Sequence, residues 1–167
     1  KSIDADLAPG DILKDQIIVV VYHGTNFQMP VAVPAIATVR DQYRNLVIRN
    51  NATNPTYQAD IAADEVVLKN SAGNARLVTS LSQTVDITAS GVNGVDAGSE
   101  ASSVWYHIWA IAKEDGTTAC ILSTSTTVPT MPSGYTYQAY LGAIYNNASG
   151  DFITMMQKGD KATRTEL

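Results

Sequence analysis

Two histidines, one cysteine and a few carboxylates are the side chains here that could do acid–base, nucleophilic or metal chemistry. Their spacing argues against each use. His23 and His107 belong to no His-x-His or Cys-x-x-Cys pair, the short spacings that aim two ligands at one ion. Cys120 lies in the apolar run Ala119-Cys-Ile-Leu122, where a free thiol behaves as a small buried hydrophobe. No cysteine-nucleophile pattern surrounds it. Asp60, Asp64 and Glu65 come nearest to a carboxylate cluster, but the calcium-loop alternation of Asp and Asn around a central Gly is missing. Gly91, Gly94 and Gly98 lack the Lys and the strand-to-helix context of a phosphate loop, and Asn93-Gly94 and Asp115-Gly116 read as turns. A glycan hydrolase needs two carboxylates framing a groove, and no pair stands out. These residues therefore predict a non-enzymatic protein with no cofactor and no metal.

The aromatic residues make the sharper case. Trp105, His107, Trp109 and Ile111 alternate with Tyr106, Ile108, Ala110 and Ala112, and successive strand side chains point to opposite faces. One face is large and aromatic, the other smaller, and neither is charged. Exposed rings of this kind can stack on sugars; buried ones supply core or interface area, roughly 150–250 Å² each. The candidate interface or glycan-stacking residues are Trp105, Trp109, Tyr135 and Tyr137. Mid-strand placement favours core or interface for the two tryptophans. Tyr135 follows Pro132-Ser-Gly134 and suits either role.

These residues need strands to position them, and strands are what the pattern predicts. Val104–Ala112 and the run around Cys120 flank Lys113-Glu-Asp-Gly116, the signature of a hairpin. Strand-like runs also cover Ile17–Tyr22, Ala35–Arg40, Tyr43–Asn50, Gln58–Leu68, Arg76–Leu81, Thr84–Thr88, Leu141–Tyr145 and Phe152–Gln157. Turn-forming clusters at Asn50–Pro55, Asn70–Asn74, Ala89–Ser99, Pro129–Tyr135 and Asn146–Asp151 separate them, and Thr25–Pro34 reads as a loop. Ala59–Lys69 is the best helical stretch, because Ala, Asp and Glu are frequent there, but Val66 and Val67 argue for a strand. The expected fold is all-β: a single-domain antiparallel β-sandwich, jelly-roll-like, spanning 16–160. An N-terminal arm would occupy 1–15 and a C-terminal tail 161–167.

The 167 residues are enough for a substantial core, and 45% of them are apolar. Only 16% are charged, against roughly 25% in an average soluble domain, which suits polar, uncharged sheet faces. The net charge of −5 and the lack of a basic run argue against nucleic-acid partners. No apolar run approaches the roughly 18 residues of a membrane helix, so no membrane insertion is expected. No signal peptide is visible, and the lone cysteine leaves the redox compartment open.

Beyond these patterns, Gly98-Ser-Glu-Ala-Ser-Ser-Val-Trp-Tyr-His-Ile-Trp109, Leu122-Ser-Thr-Ser125, Pro132-Ser-Gly-Tyr-Thr136, Leu141-Gly-Ala-Ile-Tyr145 and Asp151-Phe-Ile-Thr-Met-Met-Gln157 resemble a module of tailed-bacteriophage virion proteins. Asn50–Tyr57 through Val85–Thr88 resemble the same group, so the likeness covers about two thirds of the chain. It implies a structural module of a tail fibre, head fibre, spike or capsid decoration, made in the bacterial host cytoplasm and carried on the particle surface. It implies other virion proteins as partners, with a host-surface glycan as a further one, and it carries no catalytic motif. The alternative is a carbohydrate-binding module of a viral or secreted protein. Self-assembly is also expected. Ile17–Tyr22 and Trp105–Ala112 show no polar face, so a loop, a neighbouring chain or water must cover the side turned from the core. The number three, for a trimer, comes from the resemblance alone.

Overall fold

A computed structural model of the chain describes residues 21–22, 27–28 and 42–164. The chain divides into two compact units, Lys1–Thr38 and Val39–Leu167. In the first, β1 (Val21–Tyr22) and β2 (Phe27–Gln28) pair antiparallel, with Val21 opposite Gln28. β1 is the end of the expected Ile17–Tyr22 strand, whereas β2 falls in a stretch that reads as a loop. The arm expected at 1–15 and the strand at Ala35–Arg40 lie outside the described residues.

The second unit holds β3 (Tyr43–Arg44), β4 (Val47–Asn50), β5 (Gln58–Lys69), β6 (Ala75–Asp86), β7 (Val104–Lys113), β8 (Thr118–Ser123), β9 (Tyr135–Asn146), β10 (Met155–Lys158) and β11 (Lys161–Arg164). There is no helix among the described residues. The nine strands form one antiparallel sheet in the order β11-β10-β4-β5-β9-β7-β8, with β3 and β6 also paired to β5. The step from β5 to β9 rests on a single aligned pair, Lys69 and Gln138.

The stretch with helical composition, 59–69, is strand β5. Ala59, Ile61 and Ala63 are buried on one face and then Val66 and Leu68 take over, so burial changes phase near Asp64. Its neighbour β6 changes phase opposite, from Val85 and Leu81 to Val78, while the register between the two strands stays constant. β6 is therefore one strand where Arg76–Leu81 and Thr84–Thr88 read as two. On the other side β3 and β4 share one register against β5 and part only at Asn45 and Leu46. Asn45 and Ser80 both have positive φ, 53° and 56°, a conformation costing roughly 1–2 kcal/mol in a non-glycine residue. The Asn45 amide donates to Asp64 Oδ2 at 2.7 Å. Asn45, Asp64 and Ser80 thus form a crease across three strands. Both segments of β5 bury side chains in the same core, which also takes Tyr106, Ile108, Leu141 and Ile144 from β7 and β9.

β7 and β8 form the expected hairpin, with Ile108 opposite Leu122. Its turn is held by Asp115 Oδ1, which accepts the Thr117 N–H at 2.8 Å, and by Gly116 at φ 93°. The outer edge of β8 is capped by the Gly-rich loop. Asn93 N–H donates to the Cys120 carbonyl, Leu122 N–H to Gly94 and Asp96 N–H to Leu122. Pairing an edge this way removes its open hydrogen-bonding groups. At the far end of the sheet, Lys161–Arg164, read from sequence as a tail, is edge strand β11, with Lys161 opposite Lys158. Residues 165–167 lie outside the described residues.

Candidate functional site

The aromatic face of β7 is built by its pairing with β9. Trp105 lies opposite Tyr145, His107 opposite Ala143, and Trp109 opposite Tyr140. The register slips by one residue between Ile108 and Trp109, which makes Leu141 the extra residue of a β-bulge. Tyr140 and Tyr145 are an odd number of positions apart and would point to opposite faces of a regular strand. The bulge sets both beside the β7 aromatics, while Leu141 itself is buried in the core. Gln157 of β10 clamps this bulge: its Nε2 donates to the Leu141 carbonyl at 2.9 Å and to the Gly159 carbonyl at 2.8 Å. Gly142 makes room for it, since a methyl at that position would overlap the Gln157 amide.

Trp105 is 57% exposed, and its indole lies 5.2 Å from the Tyr145 ring, tilted by 53°. Tyr140 is also exposed; it meets Trp109 edge-on at 5.3 Å and His107 at 5.8 Å. His107 Nδ1 and the Tyr140 hydroxyl are 3.3 Å apart. Partial burial holds the His107 pKa below its ordinary value near 6.5, favouring the neutral ring. Burial, with Tyr43 nearby, raises that of Tyr140. A cleft of about 790 Å³ runs beside Trp105 and Tyr140, bordered by Gln42, Asn45, Gln157 and Asp160. A second, of about 480 Å³, lies on the other side of Gln42 and Tyr140 and reaches Trp109, Gln138 and Lys69.

The four aromatic candidates separate. Trp105 alone among them is exposed. Trp109 is 6% exposed: its Nε1 donates to the Ser125 carbonyl at 3.3 Å, and it packs in a second small core with Ile111, Ala119, Ile121, Tyr135 and Met131. Tyr135 is buried in that cluster with the Lys113 ammonium 5.0 Å from its ring centroid. Both border the second cleft only at its wall. Tyr137 belongs to the main core, its hydroxyl 3.2 Å from Glu114 Oε2 and its ring under the Arg76 guanidinium. Tyr140 and the bordering amides line the first cleft with Trp105, whereas Trp109, Tyr135 and Tyr137 do not. The bulge that brings Tyr140 there leaves no mark in sequence beyond Leu141-Gly142.

The remaining candidates do not converge. Asp60 accepts from Asn51 at 2.9 Å and Thr84 at 2.8 Å, Asp64 accepts from Asn45, and Glu65 pairs with Arg44 at 3.2 Å. Asp64 also lies 3.8 Å from the same Arg44 guanidinium and Asp60 lies 3.9 Å from Arg49, so each carboxylate is already engaged by neighbouring cations and amides. Cys120 is fully buried, which pushes its thiol pKa up to about 12. His23 lies outside the described residues. Compared with protein-family models, curated proteins and solved structures, the chain matches none.

Proposed function

We propose that this chain is a non-enzymatic structural module of a phage virion surface, a fibre, spike or capsid decoration, working by binding rather than turnover. The observation that carries the binding part is Trp105, an indole more than half exposed beside Tyr145 and an open cleft on a rigid, bulge-locked sheet. Isolated apolar residues on a surface are ordinary, but a large ring held at the rim of a cleft by an aromatic neighbour suits a contact surface. The virion setting is supported by the resemblance of the 98–157 segments. The engaged carboxylates and the buried thiol support the absence of turnover.

The finer fold in this proposal is a sandwich. β4–β6 and β7–β9 bury side chains in one common core, while among the described strands a single aligned pair, Lys69 and Gln138, joins the two halves by strand pairing, as in a sheet folded over on itself. Self-assembly, as a trimer, belongs to the same proposal. The chain's own 124–134 connection covers Trp109 and Ile111, so that end of the face does not demand a second chain. Self-assembly is then supported by the resemblance and by the open Trp105 end. Electron microscopy of particles from the phage carrying this chain tests the setting: density for it on head or tail is expected, and intact particles lacking it would refute the proposal.

A further inference from the structure

The cleft beside Trp105 has a composition that selects among planar ligands. A nucleobase and a sugar ring can both lie on an indole, but a nucleotide brings phosphate charge that needs cations. Among the described residues the first cleft offers none: its bordering residue with a formal charge is the carboxylate of Asp160. His107, next to Tyr140, is held toward its neutral form. The polar side chains that border it are the amides of Gln42, Asn45 and Gln157, the phenols of Tyr43 and Tyr140 and the Asp160 carboxylate. The Gln42 and Asp160 side chains make no hydrogen bond among the described residues, and Gln157 spends its Nε2 on two carbonyls. An aromatic plate with uncommitted amide and carboxylate groups at its edge matches a pyranose, whose C–H face is apolar and whose rim is hydroxyl. An anionic sugar would meet Asp160 with repulsion.

We infer that the cleft at Trp105 and Tyr140 is a binding site for an uncharged pyranose. The sugar face lies on the Trp105 indole and its hydroxyls meet Gln42 and Asp160. Tyr140 and Gln42 divide this cleft from the second one, so a longer chain crosses Tyr140 and places its next residue near Gln138 and Lys69. This deepens the proposed function by naming the ligand of its contact surface, and it does not depend on where the chain is carried.

The test is an array of neutral and anionic oligosaccharides, followed by isothermal titration calorimetry of the neutral hits with the full chain. Binding to neutral glycans is expected, weakened about tenfold or more in Trp105→Ala, partly restored in Trp105→Phe and unchanged in Leu77→Ser on exposed β6. Thermal melts matching the parent would show that Trp105→Ala still folds. Binding of anionic glycans alone, no binding, neutral binding indifferent to Trp105, or light scattering showing self-association lost with Trp105 would each overturn the inference. Particle density without glycan binding would refute only the sugar site, and glycan binding without particle density only the virion setting.

Discussion

The two ends of the β7 outer face carry the same kinds of side chain and meet opposite fates. At one end Trp109 and Ile111 are sealed under Met131 and Tyr135, with the indole N–H satisfied by the Ser125 carbonyl. At the other, a few residues back along the strand, Trp105 stands open beside Tyr145. Alternation and residue type are the same along the strand, so neither explains the difference. The connection 124–134 does, because it folds back over one end only. An aromatic strand face is therefore a demand for cover, and the route of a distant loop decides where that demand is met.

The comparison can be broken most directly at its covered end. Trp109→Ala should cost about 3–5 kcal/mol in urea unfolding, the range for removing a buried Trp, and a loss below ~1 kcal/mol would mean the indole is not a core element. Thinning the lid itself should cost less: Met131→Ala is expected to lose about 1–2 kcal/mol, because this side chain is only partly buried. It should also raise the acrylamide quenching of Trp109, and unchanged quenching would show that the 124–134 lid seals without it. At the open end Trp105→Ala should change stability by under ~1 kcal/mol, losing little beyond the ring contact with Tyr145. A cost equal to that of Trp109→Ala would erase the distinction.

The smallest effect is electrostatic. The folded state holds the His107 pKa below its ordinary value near 6.5. Its contribution is then full above that value and is lost as pH falls through the folded pKa. Melting temperature should drop modestly between about pH 7.5 and about pH 5, and this step should shrink in His107→Gln. An identical drop in the variant would assign the effect to other groups; Asp86 is not one of them, because a depressed carboxylate loses its contribution only below its ordinary value near 3.8. Desolvation alone would raise the Asp86 pKa, but hydrogen bonds from Thr88 and Gln58 bring it below its ordinary value.

Much of the strand layout was legible because its causes are local. The β7–β8 hairpin follows from two apolar runs around Lys113-Glu-Asp-Gly116, and the β5–β6 turn from Asn70–Asn74. β5 overrode its helical composition because Val66 and Leu68, with Ala59 and Ile61, had a core face to fill. Other features were not legible. Nothing in Ser80 announces a positive φ, and β6 consequently reads as two strands although its pairing with β5 never breaks register. The division of the four aromatic candidates was equally hidden, since Trp105 and Trp109 share a face and a residue type.

By itself, then, the sequence determined that the described second unit is all strand, where most of its hairpins turn, and that β7 would carry one aromatic face. Those properties depend on neighbours along the chain: alternation, β-branching and turn residues. Only the tertiary structure decided which aromatic ring stays open. That depends on contacts between residues far apart in sequence: the 124–134 lid over Trp109, the Leu141 bulge that turns Tyr140 outward, the Gln157 amide that locks it, and the Asn45–Asp64–Ser80 crease across which two phases of one strand fill a single core. Parity along a strand is a local rule, and one inserted residue or one folded-back loop overrides it.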